Sequence, residues 1–307
     1  MIRVDVSEIK SFRGCKREWE LSSRNRMHLT PRVSASHFAF GNIFHEALHQ
    51  LYLGQPVDKV MEMVRKEMDP STDAALLAMI PGYAKNVLPG DLDRFTVLEI
   101  EHRFQIVTPI SELELTGSID MIALEDATNE IWGFEHKTTK SFREATYLWM
   151  DEQPRVYTQA LLDYVDRFNR ARYEKWENDC ASLREGDPFP DEPVPYKLGG
   201  IYINEVKKLL RDFQYRRTAC QYPRDDLVRF MTQLYGTAHE LIMTVQHDLS
   251  VTPSPSFFQC QLCSFKTICS TYMYSTLNKD EIVQEFEEEF KVREVDHLDE
   301  KQERSNT

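Results

Sequence analysis

The stretch that decides the fold is residues 117–139, which read "GSIDMIALEDATNEIWGFEHKTT". Two runs rich in β-branched and aromatic residues flank the polar segment "EDATNE", a pattern that predicts two strands joined by a hairpin loop. Alternation along the second strand places Glu135 and Lys137 on one face of the sheet and His136 on the other. Asp120 lies on the first strand, and we expect its carboxylate to meet that of Glu135 at one rim of the sheet.

Two converging carboxylates beside a lysine are typical of a site for a hard divalent cation. Magnesium and manganese prefer oxygen ligands and leave several positions to water. A lysine next to such an ion can orient the attacking water and offset the charge that develops on a phosphodiester. The pattern therefore favours a hydrolytic phosphodiesterase site. The alternative is an ordinary glutamate–lysine ion pair on a solvated face of the sheet.

The chain of 307 residues has the composition of a globular protein, with 41% hydrophobic and 28% charged residues. No apolar run approaches the length of a membrane span, and the first residues lack the apolar region of a secretory signal. We therefore expect a cytoplasmic protein with reduced thiols and no membrane partner. The net charge of −13 is uneven, because residues 280–307 carry eleven acidic and four basic residues. Local basic groups, such as that in residues 207–217, could still hold a phosphate backbone.

The order of the patterns predicts an α/β fold with a mixed sheet flanked by helices. Helical spacing of apolar residues dominates residues 1–95, strands and helices alternate over residues 96–218, and a helix returns within residues 219–279. We expect one domain over residues 1–279, with N-terminal and C-terminal helical parts around the central core. Residues 280–307 are expected to form a solvated acidic tail.

The segment "HEALH", residues 45–49, offers a different function. In a zinc metalloprotease two histidines one helical turn apart bind the metal, and the glutamate between them is the general base. His45 and His49 fit this pattern on a predicted helix, and Glu62 or Glu67 would have to supply the third ligand. The pattern fixes only three positions, so a metalloprotease stands as an alternative hypothesis.

Three of the six cysteines lie close together in "CQLCSFKTIC", towards the C-terminal end of the chain. Cys260, Cys263 and Cys269 have Cys-x2-Cys-x5-Cys spacing. Such clustering in a chain expected to be reduced favours a metal site over disulfides. Zinc and a cubane iron–sulfur cluster normally take four cysteine ligands. The sequence therefore predicts a fourth ligand from elsewhere in the chain.

Residues 117–139 resemble the core of the PD-(D/E)XK nuclease superfamily, in which a Gly-x-x-Asp strand precedes an Asp/Glu-x-Lys strand. The RecB-like branch of that superfamily also carries Gly-x-x-x-His on an upstream helix, and "GNIFH" at residues 41–45 matches it. A Gln-x-x-x-Tyr helix follows the core in the same branch, and "QPRVY" at residues 153–157 matches that helix. The resemblance implies a restriction-endonuclease-like core with a mixed sheet.

The resemblance also implies a metal-dependent deoxyribonuclease, an exonuclease that hydrolyses phosphodiester bonds at single-stranded DNA ends. The magnesium or manganese ligands that it implies are the side chains of His45, Asp120 and Glu135 and the backbone carbonyl of His136. Lys137 would position the attacking water, and Gln153 and Tyr157 would contact the DNA strand or brace the site. Glu101, in "VLEIEHRF", lies where the family often has a strand glutamate. The alternative is a nucleic-acid-binding subunit of a repair or recombination complex, with a vestigial site.

One subset of RecB-like nucleases carries a cysteine before the core and Cys-x2-Cys-x5-Cys after it, and binds a 4Fe-4S cluster. Here "SEIKSFRGCKREWE" supplies Cys15, with Lys16 where the subset usually has proline. The resemblance thus implies a cluster that joins the N-terminal and C-terminal helical parts, with the ligands Cys15, Cys260, Cys263 and Cys269. Zinc at the same four cysteines is the alternative.

The nucleases with this arrangement include CRISPR-adaptation exonucleases, the nuclease subunits of AddAB-type helicase–nucleases, and phage exonucleases. The resemblance accordingly implies DNA as the substrate and a helicase or recombination protein as a partner. The sequence contains no Gly-x4-Gly-Lys-Ser/Thr loop, so we expect any ATP-driven unwinding to come from another chain. Cys180 and Cys220 match no position of the family, and we expect them to be packing or surface thiols.

Overall fold

The computed structural model describes residues 1–32, 36–70, 73–184, 188–272 and 278–293. The helices are, in chain order, α1 (Val6–Gly14), α2 (Lys16–Ser22), α3 (Ser36–Tyr52), α4 (Val57–Glu67), α5 (Leu76–Asn86), α6 (Leu88–Arg94), α7 (Ala145–Met150), α8 (Glu152–Ala181), α9 (Arg224–Gln246), α10 (Phe257–Leu262), α11 (Lys266–Thr271) and α12 (Lys279–Glu285). The strands are β1 (Ile2–Asp5), β2 (Leu29–Pro31), β3 (Phe95–Val107), β4 (Leu113–Glu125), β5 (Glu130–Thr139), β6 (Lys197–Lys207), β7 (Tyr215–Cys220) and β8 (Phe290–Val292). None of these described helices combines the length and the apolar character needed to cross a membrane.

Contacts along the chain divide it into two compact units. The first unit comprises Met1–Ala35, Ile110–Leu113 and Tyr235–Thr307, and the second comprises Ser36–Pro109 and Glu114–Leu234. All residues predicted for the phosphodiesterase site belong to the second unit, and the four cysteines predicted to bind a metal belong to the first.

The second unit is built on a mixed sheet in the order β3-β4-β5-β6-β7. β4 and β5 are the antiparallel hairpin predicted from the sequence. Asn129 in its loop has a φ of 59°, a left-handed conformation that asparagine tolerates well. β5 and β6 are parallel, because α8 lies between them in the chain as the crossover helix. This arrangement confirms the predicted α/β fold with a mixed sheet flanked by helices.

Helices cover both faces of this sheet. On one face α3, α4 and α5 share a core with Phe134 of β5 and Tyr202 of β6. Phe134 is fully buried and its ring lies 5.2 Å from that of Phe95, a burial worth about 1.5–3 kcal/mol. Gly133 precedes Phe134 and therefore faces the other side of the sheet. A Cβ added to Gly133 would lie 3.7 Å from Leu161 of α8. The long helix α8 therefore covers the opposite face.

The first unit has a core of its own around the first two helices. Phe12 and Trp19 are buried, and their rings meet edge to face at 4.8 Å. The indole nitrogen of Trp19 donates a hydrogen bond of 3.1 Å to Glu8, a carboxylate that also accepts one from Asn25. These contacts hold α1 and α2 together around Cys15, the single residue that separates them.

The acidic composition of residues 280–307 indicates a solvated tail, but residues 278–293 are folded. β8 pairs with β2, and three apolar side chains of this segment, Ile282, Phe286 and Phe290, are buried in the core of the first unit. Ile282 lies on α12, Phe286 caps the end of that helix and Phe290 begins β8. The remainder of the expected tail, residues 294–307, lies outside the described residues.

Candidate active site

The residues predicted for the phosphodiesterase site come from five elements of the second unit. His45 lies on α3, Glu101 on β3, Asp120 on β4, Glu135, His136 and Lys137 on β5, and Gln153 and Tyr157 on α8. β5 is paired on both sides, so it offers these side chains a rigid base.

His45, Glu101 and Asp120 form a group of candidate metal ligands. One ligand atom from each lies within 4.8 Å of the other two. Nδ1 of His45 is 3.3 Å from Oδ1 of Asp120, and Oδ2 of Asp120 accepts the backbone N–H of His136 at 2.6 Å. Imidazole and carboxylate donors at this spacing fit a divalent cation such as manganese or magnesium. The structure thus brings Glu101 beside two of the predicted ligands.

The backbone of Glu101 is in an unusual conformation. Glu101 lies opposite Asp120 across the β3–β4 pair, between the paired residues Ile100 and His102, and has a φ of 54°. A residue with a side chain occupies this left-handed region at a cost of about 1–2 kcal/mol. Such strain persists where the surrounding structure enforces it, and it concentrates at functional sites. Oγ of Ser118 lies 3.3 Å from Oε2 of Glu101 and donates to it.

Glu135 is a buried carboxylate with only one oxygen engaged by hydrogen bonds. Oε1 accepts Nε2 of Gln153 at 2.9 Å and pairs with the ammonium of Lys137. Oε2 is buried and has no hydrogen-bond partner among the described residues. A buried acceptor without a hydrogen-bond partner lowers the stability of the fold by about 1–3 kcal/mol. Glu135 is not among the three residues whose ligand atoms lie within 4.8 Å of one another, but its unpartnered oxygen is a donor that a divalent cation accepts, so the residues present fit a divalent metal.

The carboxylates of the site are buried and repel one another, which shifts their pKa values apart. Burial, and then the charge of Asp120, raises the pKa of Glu135 to about 7 and also raises that of Glu101. Burial would raise the pKa of Asp120 too, but the positive charge of His45 lowers it to about 2. Burial disfavours a charged His45, yet Asp120 raises its pKa to about 9. Binding of a cation at this site would therefore displace protons.

His136 belongs to a buried hydrogen-bond network on the opposite face of β5. Oδ1 of Asn204 accepts from the hydroxyl of Tyr215 at 2.9 Å and from Nε of Arg217 at 2.8 Å. Nδ2 of the same amide lies 3.3 Å from Nδ1 of His136, which must therefore accept and leave the imidazole neutral. Burial also lowers the pKa of His136 to about 4. Arg217 in turn donates to both oxygens of Asp91 at 2.7 Å, so the network holds β5 without adding a net charge.

Gln153 and Tyr157 brace Glu135 from the first turns of α8. Oδ1 of Asp151 caps this helix by accepting the backbone N–H of Gln153 at 3.1 Å. Residues four positions apart share one face of a helix, and Nε2 of Gln153 lies 2.9 Å from the hydroxyl of Tyr157 and 2.9 Å from Oε1 of Glu135. Gln153 and Tyr157 were expected either to contact the DNA strand or to brace the site. The hydrogen bonds seen here are of the bracing kind.

The geometry does not support the metalloprotease alternative. Among the described residues, the group of three candidate ligands that contains His45 does not contain His49. Nδ1 of His49 lies 3.8 Å from Oε2 of Glu46, the residue that the protease pattern requires as general base. Glu62 and Glu67, the proposed third ligands, are exposed on α4.

The four cysteines predicted to bind a metal line one cavity of about 390 Å³ in the first unit. Cys15 lies between α1 and α2, and the other three lie on or beside α10 and α11. Backbone N–H groups of Ser254 and Ser256 donate to the sulfurs of Cys15 and Cys260 at 3.5 and 3.4 Å. Burial above all raises the pKa of Cys263 to about 11. Thiolates would therefore form in this cavity beside a bound cation.

The four sulfurs do not form a compact group of ligand atoms. In the part of the chain that the structure describes, only the His45 group brings three ligand atoms within 4.8 Å of one another, so no three of these sulfurs are that close. A tetrahedral zinc ion, with Zn–S bonds of about 2.3 Å, would need sulfurs about 3.8 Å apart. Zinc and an iron–sulfur cluster are both compatible with four cysteine ligands.

Comparison with known proteins places this chain in one class of proteins. A model of the PD-(D/E)XK nuclease superfamily matches residues 3–270. The match covers most of the chain, and the chain belongs to the PD-(D/E)XK nuclease superfamily. No curated protein matches the sequence.

Two solved structures are similar to this chain over most of their length. The crystal structure of a "Putative exonuclease" from Eubacterium rectale has a TM-score of 0.52 and 10% sequence identity, and the likeness covers 89% of this chain and 88% of that chain. At that identity the likeness shows the fold alone. The crystal structure of SSO0001 has a TM-score of 0.38 and 12% identity over 88% of this chain and 86% of that chain, a likeness too low to carry an argument.

Proposed function

We propose that this protein is a metal-dependent deoxyribonuclease of the RecB-like branch, acting as an exonuclease at single-stranded DNA ends. The observation that carries the proposal is the meeting of His45, Glu101 and Asp120 within 4.8 Å, together with the buried ion pair of Glu135 and Lys137. Membership of the superfamily supports phosphodiester chemistry at this place. The raised pKa values of the two glutamates support a cation there.

The side chains of His45, Asp120 and Glu135 and the backbone carbonyl of His136 would hold a magnesium or manganese ion, with Glu101 as a further ligand. When bound, such an ion supplies Lewis acidity to a phosphoryl oxygen and lowers the pKa of a bound water. The backbone N–H of His136 keeps Asp120 oriented by its hydrogen bond of 2.6 Å.

We propose that Lys137 positions the attacking water. The side chain of Lys137 is 34% exposed and its ammonium pairs with Glu135. Burial would lower the pKa of Lys137, but the charge of Glu135, its hydrogen bond to the ammonium and the charge of Asp120 together raise it, so the ammonium keeps its proton at neutral pH. With three donors, the ammonium can hold Glu135 and still donate to water or to a phosphoryl oxygen on which negative charge develops.

Cleavage of end-labelled DNA tests the proposal. The protein should shorten single-stranded DNA from its ends in magnesium or manganese, and a chelator should stop the reaction. Asp120→Ala should lose the activity, whereas Asp126→Ala should retain it, because Asp126 lies in the exposed loop that follows the same strand. Cleavage by Asp120→Ala at the wild-type rate would reject the assignment. Binding of DNA without any cleavage would favour the vestigial-site alternative.

We also propose that Cys15, Cys260, Cys263 and Cys269 hold a 4Fe-4S cluster with a structural role. The single cavity that all four cysteines line supports a shared metal group, and the two N–H groups that donate to sulfur would stabilise thiolate ligands. A cluster here would cross-link positions that are far apart in sequence. By analogy with a disulfide that closes a long loop, it would stabilise the fold by about 4–5 kcal/mol.

Metal analysis of anaerobically purified protein tests the cluster. We expect iron and acid-labile sulfide, with broad absorption near ~400 nm that is typical of cysteine-bound iron. Stoichiometric zinc without iron would contradict the cluster and would leave the nuclease proposal standing.

A further inference from the structure

The short helix α7 exposes apolar side chains. Leu148 is buried, whereas Tyr147, Trp149 and Met150 are 59%, 41% and 60% exposed. Tyr147 and Met150 are three positions apart and therefore share one face of the helix. Three large exposed apolar side chains on a helix of six residues indicate a contact surface.

Both ends of α7 are tied to the elements that carry the candidate active site. Arg143, just before the helix, donates from its backbone N–H and from Nε to Oε1 of Glu205 at 3.2 and 3.1 Å. Glu205 is fully buried on β6 and is paired in register with Lys137. Gln153, which braces the buried glutamate of the site, follows Met150 by three residues, so their Cα atoms are at most about 11 Å apart. The segments on both sides of α7 therefore contact the elements that carry the site, while Trp149 near its end contacts Gln221 and Tyr222.

Basic side chains lie over aromatic rings in the same region. The ring of Phe142 lies 4.6 Å from the ammonium of Lys207. Arg216 lies 5.0 Å from the same ring, but its charge is paired with the buried Glu205. The guanidinium of Arg155 lies 5.5 Å from the ring of Trp149. Lys207 ends β6, and ligands of open α/β sheets bind at the carboxyl ends of parallel strands. Local cations in a chain with a net charge of −13 favour a polyanionic ligand.

We propose that α7 is a stacking platform for the bases of single-stranded DNA, whose phosphates lie along the cations near the ends of β5 and β6. This inference rests on the proposed nuclease function and names the form of DNA that the site accepts. Unpaired bases can stack on aromatic side chains, whereas the bases of a duplex are already stacked on one another. The platform would therefore select single strands without reading their sequence.

Binding of an end-labelled oligothymidylate in the presence of a chelator tests the platform without cleavage. Tyr147→Ala should weaken binding about 5- to 150-fold, the effect of losing one base–aromatic stack. Tyr147→Phe keeps the ring and should bind as tightly as the wild type. Phe189→Ala is the matched control and should bind normally. Phe189 is 70% exposed and its ring lies 6.3 Å from that of Trp176, which is about 35 Å along α8 from Gln153.

An abasic strand of the same length separates stacking from phosphate contacts. Wild type and Tyr147→Ala should bind the abasic strand equally, because it offers no ring to stack. The platform would be overturned by equal binding of oligothymidylate to wild type and Tyr147→Ala, or by an equal loss of affinity on both strands.

The binding measurements and the cleavage test can fail separately. A wild-type protein that cuts DNA, but whose Tyr147→Ala variant binds oligothymidylate normally, overturns the platform and leaves the nuclease intact. A wild-type protein that cuts nothing, yet binds oligothymidylate through Tyr147, supports the platform and contradicts the nuclease.

Discussion

Nε2 of Gln153 donates a hydrogen bond of 2.9 Å to Oε1 of Glu135, and this bond joins the first turn of α8 to the strand at the centre of the candidate site. The other oxygen of Glu135 stays buried without a hydrogen-bond partner among the described residues. The helix thus fixes the orientation of the carboxylate and leaves one of its oxygens for a cation.

Gln153→Ala should lower the affinity for manganese about 10- to 100-fold, the usual effect of removing a group that orients a metal ligand. Gln159→Ala should bind manganese normally, because Gln159 donates to Asp163 on the same helix at 3.2 Å. Titration calorimetry measures both affinities. Unchanged affinity in Gln153→Ala would show that the hydrogen bond does not position the carboxylate.

The affinity for manganese should rise with pH. Burial opposes the charge on His45, but Asp120 raises its pKa to about 9, and burial raises the pKa of Glu135 to about 7. A cation must displace these protons, so affinity should increase by up to about tenfold per pH unit for each proton released. Titrations in buffers of different ionisation enthalpy count the protons. A constant affinity between about pH 6 and pH 9 is the result that this account does not allow.

Arg217→Met should lower the free energy of unfolding by about 3–5 kcal/mol, because it leaves a buried charge without its partner. That charge is Asp91, which is 5% exposed and lies 2.7 Å from Arg217 at both of its oxygens. Arg229→Met removes an exposed pair with Asp226, 3.9 Å apart, and should cost at most about 1 kcal/mol. Urea denaturation compares the two. An equally small decrease in the free energy of unfolding of both variants would argue against a structural role for the buried pair.

The parts of the site that could be predicted from the sequence are those set by local geometry. The period of a strand fixes Glu135 and Lys137 on one face, and the period of a helix fixes Gln153 and Tyr157 on one face. Glu101 is different. Its place beside the other ligands depends on the register between β3 and β4 and on a positive φ, and no short pattern in the sequence encodes either.

The buried hydrogen-bond network around His136 could not be predicted from the sequence either, because its members are distant along the chain. Arg217 and Asp91 are 126 residues apart. The basic group in residues 207–217 resembled one phosphate-binding patch, yet Arg216 pairs with Glu205 and Arg217 with Asp91. Alternation along β7 was the available signal, since it sends neighbouring arginines to opposite faces of a sheet.

Cys15→Ser should lose iron and the absorption near ~400 nm, and should lower both solubility and DNA affinity, because it removes the ligand that links the first helices to the C-terminal triplet. Cys180→Ser is the matched control, since Cys180 lies on α8 and is not among the residues that line the cavity of the four cysteines. Iron analysis and thermal unfolding measure the effect. Normal iron content and stability in Cys15→Ser would exclude Cys15 as a ligand.

Single-turnover cleavage of end-labelled single-stranded DNA by Lys137→Met tests the central claim most directly. Lys197→Met is the matched control, because Lys197 lies at the start of β6, at the opposite end of the β5–β6 pair. The account predicts that Lys137→Met still binds DNA but cleaves it at least about 100-fold more slowly, while Lys197→Met cleaves at the wild-type rate. Cleavage by Lys137→Met at the wild-type rate would contradict the account.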